Sequence, residues 1–500
     1  MGTTVTGWPG PLAVADPAPI AELRAVLVDA GFDGPTVRDV LAVEGQMLAR
    51  PGDAPVLRRR LASVEPLGTI ASLFVLGLPL EAAFVQAAFA PLGLERLEAL
   101  GLVETGSGFV HPRVRLVPHD DLLIVSDHPG DDQPDHVAGV HNPSLTLSHL
   151  TVRRPVATAL DVGTGCGVQA ILVSRHAGHV VATDLNERAL NFAAFNALLN
   201  EAENVELRAG SFFEPVAGER FELVVTNPPY VISPETEYLF RDSELTGDRV
   251  SRRVVEAVPA VLEEGAFASV LVSWIHPPGE DWSTPLRAWV AGSGCDALLL
   301  HYHTEDPLTH TASWTRDRHA DDPDAQEEML ERWLAYFDEL GIEGIGYGAV
   351  VLRRRAAGTP HVLTHQLPPG LRPAGPHIER LFAAADYLEA IGDDRALLSE
   401  RFVLVEAARV EQRVGLREGE WSIERIELLL TEGLRFNADI DPLIAHLLAG
   451  LDGHRTLEEA ARNVAEAQGF DAVSLAERAA PVAREMVALG YLIPGRPQSV

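Results

Sequence analysis

Between residues 120 and 356 the chain alternates short β-branched runs with stretches of helical spacing. This alternation is typical of a mainly parallel sheet with helices on both faces. Seven runs are predicted to be strands: Val156–Leu160, Val180–Thr183, Val205–Arg208, Leu223–Thr226, Phe267–Val272, Ala297–Leu300 and Gly348–Arg353. The sequence therefore predicts an α/β fold with a seven-stranded, doubly wound (Rossmann-like) sheet.

Helical regions are predicted on both sides of this domain, whose bounds we place at residues 119–356. In residues 1–118, a helix ending in Leu100-Gly101-Leu102-Val103 precedes a glycine-tipped hairpin, a winged-helix-like pattern. The Pro/Gly-rich stretch in residues 357–378 is interpreted as a linker. Residues 379–500 are predicted to form a mostly helical C-terminal domain, also winged-helix-like.

The charge of the chain disfavours one class of partner. The 500 residues include 72 acidic and 40 basic residues, and the net charge is −32. Because nucleic-acid binding draws affinity from cations placed against phosphates, this acidic field argues against a nucleic-acid substrate and favours neutral or cationic ones. Two cysteines and the lack of a visible secretory signal or membrane-spanning stretch predict a cytoplasmic protein without a membrane partner.

A glycine-rich loop follows the first predicted strand and opens a helix. Its sequence is Asp161-Val162-Gly163-Thr164-Gly165-Cys166-Gly167. Glycines at such a junction permit a sharp turn and let a ligand approach the backbone amides. The third glycine comes one residue earlier than in the dinucleotide fingerprint G-x-G-x-x-G, which disfavours a dehydrogenase.

Two further strand ends complete a nucleoside-binding pattern. The second strand ends in Asp184, whose carboxylate suits hydrogen bonding to both hydroxyls of a ribose. The third strand ends in Ala209-Gly210-Ser211-Phe212-Phe213, where an adenine edge would lie. Asp161, at the end of the first strand, is placed to receive a cationic amino group.

The fourth strand ends in Asn227-Pro228-Pro229-Tyr230. At this edge of the sheet, where such folds bind ligands, the Asn227 side-chain oxygen and the Pro228 carbonyl can each accept one N–H of a flat NH2 group. Tyr230 can stack on the flat acceptor. This arrangement would direct the lone pair of a conjugated nitrogen toward a reactive methyl group.

Together these segments resemble the class I S-adenosyl-L-methionine-dependent methyltransferases. In that family the D-x-G-x-G-x-G loop holds the methionine part of the cofactor, and the acidic end of strand two holds the ribose. Ser211 stands where the family usually has an aspartate for the adenine amine. The resemblance implies that the following residues bind the cofactor: Asp161, Gly163, Thr164, Gly165, Gly167, Asp184, Leu185, Asn186, Ser211, Phe212 and Asn227.

The tetrapeptide resembles that of protein glutamine methyltransferases and of enzymes that methylate exocyclic amino groups of adenine or guanine. The resemblance implies catalytic roles for Asn227, Pro228 and Tyr230. Residues 139–144 occupy the place of the Pro-Arg-Pro-Glu-Thr stretch of the glutamine methyltransferases, but lack its Arg and Glu. The residues predicted to bind the acceptor are Asn142, Pro143, Ser144, Pro229, Tyr230, Glu235, Tyr238 and Glu244, the last three because a carboxylate-rich loop suits a cationic acceptor.

The leading hypothesis is an N-methyltransferase acting on an amide- or guanidine-type nitrogen of a protein, peptide or small metabolite. Alternatives are an rRNA guanine-N2 methyltransferase, for which Arg58-Arg59-Arg60 would be part of a basic face, and a non-catalytic cofactor-binding adaptor. Histidines near residues 119–136 and 301–310 match no tight metal-binding spacing, and no metal is predicted. Cys166 is predicted to fill space within the loop. The sequence leaves the oligomeric state open.

Overall fold

The structure is a computed structural model that describes residues 7–42, 54–129, 133–235, 245–316 and 322–495. The chain divides into two compact units. The first lies within Met1–Ser148 and Arg153–His365, and the second within His149–Val152 and Gln366–Val500.

The N-terminal part of the first unit is a set of short helices with two small antiparallel sheets. One sheet has the order β1-β3-β2 and contains the predicted glycine-tipped hairpin, and the other pairs β4 with β5. The elements are α1 Ala18–Asp29, α2 Gly34–Leu41, α3 Ala54–Leu61, α4 Leu67–Phe74, β1 Leu80–Glu81, α5 Ala82–Ala88, α6 Leu94–Ala99, β2 Val103–Gly106, β3 Phe109–Pro112, β4 Arg115–His119 and β5 Leu122–Ser126.

The rest of the first unit is built on a large sheet with helices between its strands. The elements are α7 Asn142–Leu150, β6 Val156–Val162, α8 Val168–Ser174, β7 Ala177–Asp184, α9 Glu187–Leu199, β8 Val205–Ala209, β9 Phe221–Thr226, α10 Arg249–Ala257, β10 Leu262–Ile275, α11 Thr284–Val290, β11 Cys295–Glu305, α12 Pro307–Thr315, α13 Pro323–Leu340, β12 Ile345–Arg354 and β13 Val362–Gln366.

The strand order of this sheet is β13-β11-β12-β10-β9-β6-β7-β8. Strands β8, β7, β6, β9 and β10 pair in parallel, whereas β12 is antiparallel to both β10 and β11. The order reverses beside β6, so the loops after β6 and β9 leave the carboxyl edge next to each other. This is the position at which open α/β sheets bind ligands.

All seven predicted strands are present, and the structure adds an eighth. Strand β13 at Val362–Gln366 lies within the stretch interpreted as a linker. It forms the outer edge of the sheet beside β11, and its residues are mostly half-buried rather than fully buried. Because only part of an edge strand is covered, its sequence, Val-Leu-Thr-His-Gln, lacks the continuous apolar run that marks the central strands.

Fully buried residues from these strands form the core under the sheet. They include Leu160, Val224, Val270 and Trp274, each with 0% exposure. The near-continuous apolar sequence of these strands follows from burial on both faces of a parallel sheet.

Helix α9 holds strand β5 through asparagine side chains. Asn196 accepts from the Val125 N–H and donates to its carbonyl, both at 2.8 Å, and Asn200 does the same with Leu123 at 2.9 and 2.8 Å. Asn196 and Asn200 are four residues apart, which puts both side-chain amides on one face of the helix. Their partners, Val125 and Leu123, are two residues apart, so their backbone groups lie on the same edge of the strand. The chain that leaves β5 is thereby fixed near the carboxyl edge of the large sheet.

The second unit mixes helices with two three-stranded sheets of order β18-β14-β19 and β15-β16-β17. Its elements are α14 Gly375–Ile391, α15 Asp394–Leu397, β14 Arg401–Leu404, β15 Ala408–Arg417, β16 Glu420–Leu430, β17 Asn437–Asp439, α16 Pro442–Ala449, β18 Asp452–Thr456, α17 Leu457–Gln468, α18 Ala472–Ala488 and β19 Leu492–Pro494.

The interpretation of this region as mostly helical overlooked the long hairpin of β15 and β16. Most residues of the two strands are exposed, and the buried alternation of Ile426, Leu428 and Leu430 is confined to the end of β16, too short to mark the whole hairpin. The predicted helical parts are present, including the Thr456–Glu459 capping box of α17. Among the described residues, no helix combines the length and the apolar composition needed to cross a bilayer.

Candidate active site

The glycine loop after β6 turns sharply into α8. Gly163 (φ 70°) and Gly165 (φ 55°) have the left-handed backbone that favours glycine, and Cβ atoms there would meet no atom within 4 Å. The space beside them is therefore open toward a cavity. Gly167 has a different role, because a Cβ at this position would lie 3.1 Å from Ala193 Cα, so it permits close packing of the loop on α9.

Two carboxylates hold the loop in place. Asp161 Oδ2 accepts from the Thr164 hydroxyl at 2.7 Å and from the Ala170 N–H at 3.0 Å. Asp184 accepts from the Gly165 N–H at 2.9 Å and, through its other oxygen, from the Asn186 N–H at 2.9 Å. The ends of β6 and β7 are thus joined through the loop.

Burial perturbs the protonation of both groups. The pKa of Asp161 is raised to about 7, mainly because the side chain is removed from water, and the negative charge of Asp184 adds to the shift. Desolvation also raises the pKa of Asp184. A cationic group brought beside Asp161 would favour its ionised form.

A cavity of ≈ 430 Å³ lies above this edge of the sheet. It brings together every residue predicted to bind the cofactor except Gly167, together with three predicted acceptor-side residues, Ser144, Pro228 and Pro229. The predicted cofactor residues that line it are Asp161, Gly163, Thr164, Gly165, Asp184, Leu185, Asn186, Ser211, Phe212 and Asn227. Its size is within the usual range for small-molecule sites.

Asn227 contributes an unsatisfied acceptor to this cavity. Its Oδ1 is buried and accepts no hydrogen bond from any described residue. The preceding residue, Thr226, fixes the end of β9 by donating to the Val162 carbonyl at 2.9 Å. A buried amide oxygen without a donor costs free energy, about 1–3 kcal/mol, unless a ligand supplies the donor. Such an atom is expected where a ligand N–H binds.

Tyr230 faces a second cavity of ≈ 290 Å³, together with Asn142 and Pro143 at the start of α7. The Tyr230 carbonyl accepts from the Ser273 hydroxyl, which anchors the loop on β10. Burial raises the pKa of the Tyr230 phenol, so this side chain stays neutral. The predicted acceptor residues thus divide between two cavities.

Glu235 does not have the contacts that its predicted role requires. Its Oε1 accepts from Arg332 Nη2 at 2.6 Å and from the Trp333 indole N–H at 3.0 Å, and the residue is 7% exposed. The carboxylate therefore joins the end of this loop to α13 instead of facing either cavity. Tyr238 and Glu244 lie outside the described residues.

Sequence reasoning missed a segment that lines the large cavity. His136, Val137, Ala138 and Gly139 follow β5 and form one of its walls. The buried Asp127 holds this segment, because Asp127 Oδ2 accepts from the Val137 N–H at 2.7 Å and its carboxylate is paired with Arg188 of α9. The signal available in the sequence was a lone aspartate after an apolar run.

Two other residues of the cavity were also missed. Gln169 donates to the Ser144 carbonyl at 2.6 Å, which joins α8 to the start of α7. The Arg253 guanidinium lies 5.4 Å from the centre of the Phe212 ring. Phe212 has a left-handed backbone (φ 45°) and lines the cavity together with this arginine.

The histidines and cysteines have structural contacts. His310 is fully buried and hydrogen-bonded to Tyr347 and to the Ile232 carbonyl. Cys166 is 3% exposed, and burial raises its thiol pKa to about 12. This burial agrees with the predicted space-filling role.

Three protein-family models match parts of this chain. The family model described as methyltransferase small domain matches residues 142–264. Two domains of unknown function, DUF7059 and DUF7782, match residues 29–113 and 379–494. The methyltransferase match covers β6 to β9 and includes both motifs described above.

The chain is also similar to curated glutamine methyltransferases. The chain is 31% identical over 197 residues to a release factor glutamine methyltransferase of Geobacter sulfurreducens, covering 36% of this chain and 67% of that protein. It is 44% identical over 92 residues to the release factor glutamine methyltransferase of Cereibacter sphaeroides (18% and 33% covered), and 41% over 88 residues to a ribosomal protein uL3 glutamine methyltransferase of Xanthomonas campestris (17% and 29%).

The chain belongs to the same methyltransferase family as these glutamine methyltransferases. It spans about a third of the length of the Cereibacter and Xanthomonas proteins. Among solved structures, it is similar to a methyltransferase from Pyrococcus furiosus (14% identity, 43% of this chain and 84% of that chain, TM-score 0.27) and to a ribosomal protein L11 methylase from Lactobacillus delbrueckii (17%, 43% and 77%, TM-score 0.25).

Proposed function

We propose that this protein is an S-adenosyl-L-methionine-dependent N-methyltransferase that methylates the side-chain amide of a glutamine in a protein. The buried, unsatisfied Oδ1 of Asn227 at the edge of the large cavity carries the proposal. The similarity to glutamine methyltransferases supports narrowing the acceptor from any planar nitrogen to a protein amide.

The polar groups of the large cavity fit those of S-adenosyl-L-methionine. Asp161 would hold the methionine ammonium with its Oδ1, since its Oδ2 already accepts two hydrogen bonds. The half-buried Asp184 would accept from the ribose hydroxyls, because a carboxylate offers about four acceptor positions and two are in use. Phe212 and Ser211 would border the adenine. When bound, S-adenosyl-L-methionine supplies an electrophilic methyl group on a sulfonium sulfur.

The acceptor, an amide nitrogen, is a poor nucleophile that the site must position for attack. The lone pair of an amide nitrogen is delocalised into the carbonyl, so the nitrogen must be turned and held. Asn227 Oδ1 and the Pro228 carbonyl would each accept one N–H of the glutamine amide, which draws the nitrogen toward tetrahedral geometry. Such positioning can lower a barrier by roughly 7–11 kcal/mol. The nitrogen becomes acidic once methylated and loses its proton to water without a dedicated base.

The first test is incubation of the protein with methyl-labelled S-adenosyl-L-methionine and a cell lysate, fractionated into protein, RNA and small molecules. We expect label in protein, as N-methylglutamine after proteolysis. Label confined to RNA would contradict the proposal and favour a guanine-N2 methyltransferase. Absence of cofactor binding in calorimetry would exclude the enzyme and leave a non-catalytic adaptor.

The cytoplasmic location and the domain bounds given by the sequence remain predictions. The two domains of unknown function lie outside the methyltransferase match. We propose that they select the acceptor protein, because the catalytic motifs are complete within residues 142–264.

A further inference from the structure

The second cavity has a wall of aromatic side chains. Tyr230, Tyr302, Trp314 and Tyr347 line it, with His303 and the carboxylate of Glu305. The His303 and Tyr347 rings stack with centroids 5.0 Å apart, and the Trp314 indole N–H donates to the Tyr347 hydroxyl at 2.9 Å. The rings are therefore held in fixed positions around one space.

Glu305 lines this cavity, and no arginine among the described residues pairs with its carboxylate. Its Oε2 is buried and accepts no hydrogen bond from any described residue. Within the same described residues, Nδ1 of His310 lies 3.9 Å from Oε2. Its Oε1 lies 3.4 Å from Nε2 of His303, which is 55% exposed.

His310 has closer partners than the Glu305 carboxylate. Its Nε2 lies 2.8 Å from the Ile232 carbonyl, which can only accept, so Nε2 carries a proton. Its Nδ1 lies 2.5 Å from the Tyr347 hydroxyl, which also accepts from the Trp314 indole N–H. At 3.9 Å, Nδ1 is beyond hydrogen-bond distance of Glu305 Oε2, which is left without a donor from this ring.

A bulge in β11 brings Tyr302 to the same cavity. His301 pairs with Gly348 and His303 with Tyr347, so Tyr302 is the extra residue between two consecutive partners. Bulges redirect a side chain next to many active sites. The Tyr302 hydroxyl is buried and has no hydrogen-bond partner among the described residues. Two buried oxygens, from Tyr302 and Glu305, thus face the cavity unsatisfied.

Electron-rich ring faces with an unpaired carboxylate are the chemistry that binds an organic cation. We propose that this cavity binds the side-chain cation of an arginine or lysine close to the methylated glutamine in the acceptor protein. The proposal rests on the proposed function, because Tyr230 joins the cavity to the Asn227 loop. The net charge of the chain is −32, and this negative field also favours a positively charged partner.

The test compares arginine with citrulline, its neutral isostere. Peptides with one glutamine carry arginine, lysine or citrulline in turn at each flanking position, and methyl transfer from labelled cofactor is measured. At one or more positions we expect arginine or lysine to raise kcat/KM by about tenfold over citrulline, because a charge-assisted hydrogen bond and cation–π contacts are gained. Glu305→Gln should remove this preference, and Tyr302→Phe should reduce it.

Glu327→Gln is the matched control, because it removes one carboxylate from an exposed position that lines neither cavity. It should keep the full preference for arginine. Equal rates with arginine, lysine and citrulline at every position would overturn the proposal, as would a preference that survives Glu305→Gln.

A binding experiment separates this proposal from the proposed function. Calorimetry of the full chain with Nα-acetylarginine amide and Nα-acetylcitrulline amide needs no methyl transfer. Tighter binding of the arginine compound, abolished by Glu305→Gln, supports the cation site even if no glutamine is methylated. Indistinguishable binding of the two compounds in a chain that does methylate glutamine refutes the cation site alone.

Discussion

The two cavities of the first unit use their polar groups in opposite ways. In the cofactor cavity, Asp161 and Asp184 already accept backbone and hydroxyl hydrogen bonds that hold the glycine loop. In the aromatic cavity, buried oxygens of Tyr302 and Glu305 have no such partners among the described residues. The first site is preorganised by internal bonds, whereas the second depends on its ligand to satisfy it. Asn227, with its own unsatisfied oxygen, belongs in this respect with the acceptor side.

The largest expected effect tests this assignment of Asn227. Asn227→Ala should lower kcat for methyl transfer by about 10²- to 10³-fold, the usual result of deleting one preorganised contact to the reacting group. The affinity for S-adenosyl-L-methionine, measured by calorimetry, should change little. A large loss of cofactor affinity would instead place Asn227 with the cofactor.

Asp184→Ala should have the opposite profile. Losing hydrogen bonds to a charged group should weaken cofactor binding by about 10- to 100-fold, because each such bond contributes about 1.5–3 kcal/mol. At saturating cofactor the rate should remain closer to wild type than that of Asn227→Ala. A variant that binds the cofactor normally would contradict the ribose assignment.

The raised pKa of Asp161, about 7, predicts a pH-dependent cofactor affinity. Below that pH the carboxyl group is mostly protonated and cannot pair with the methionine ammonium. Affinity should therefore increase as the pH rises through the pKa, until the methionine ammonium itself loses its proton at about pH 8. Calorimetry on Asp161→Asn should show weaker binding with little change over the same range. A flat wild-type profile would show that no cation binds at Asp161.

The smallest expected effects are on the free energy of unfolding, which we compare between variants of Glu235 and Glu305. Glu235→Gln should lower the free energy of unfolding by about 1–3 kcal/mol, because it weakens the bonds from Arg332 and Trp333 to a buried carboxylate. Glu305→Gln should cost less, since Oε2 of Glu305 accepts no hydrogen bond from the described residues that the change could weaken. Urea denaturation measures both. A larger loss for Glu305→Gln would contradict the contrast between the two cavities.

The same contrast explains what sequence reasoning could and could not find. Residues 161–167, Asp184 and residues 227–230 each follow a strand that can be recognised locally, and parallel strands bring their carboxyl ends to one edge. The aromatic cavity is assembled from residues 142, 230, 302, 314 and 347, which no local pattern connects.

The contacts of two carboxylates, Glu235 and Glu305, are likewise not revealed by proximity in the sequence. Glu235 stands near the tetrapeptide in sequence, but Arg332, 97 residues away, occupies its carboxylate. Glu305 reaches the cavity through a bulge whose register depends on pairing with β12. The edge strand β13 has no clearly buried face, and the hairpin of β15 and β16 has one only at the end of β16, so both escaped prediction.

The burial of Cys166 has a consequence for the chemical robustness of the site. With a pKa of about 12, about one thiol in 10⁵ is ionised at neutral pH, and the thiolate is the form that oxidants and alkylating reagents attack. The second cysteine, Cys295, is 1% exposed, and its pKa is also raised by burial. Methyl transfer should therefore continue unchanged under oxidative stress, and thiol-directed probes should report unfolding rather than catalysis.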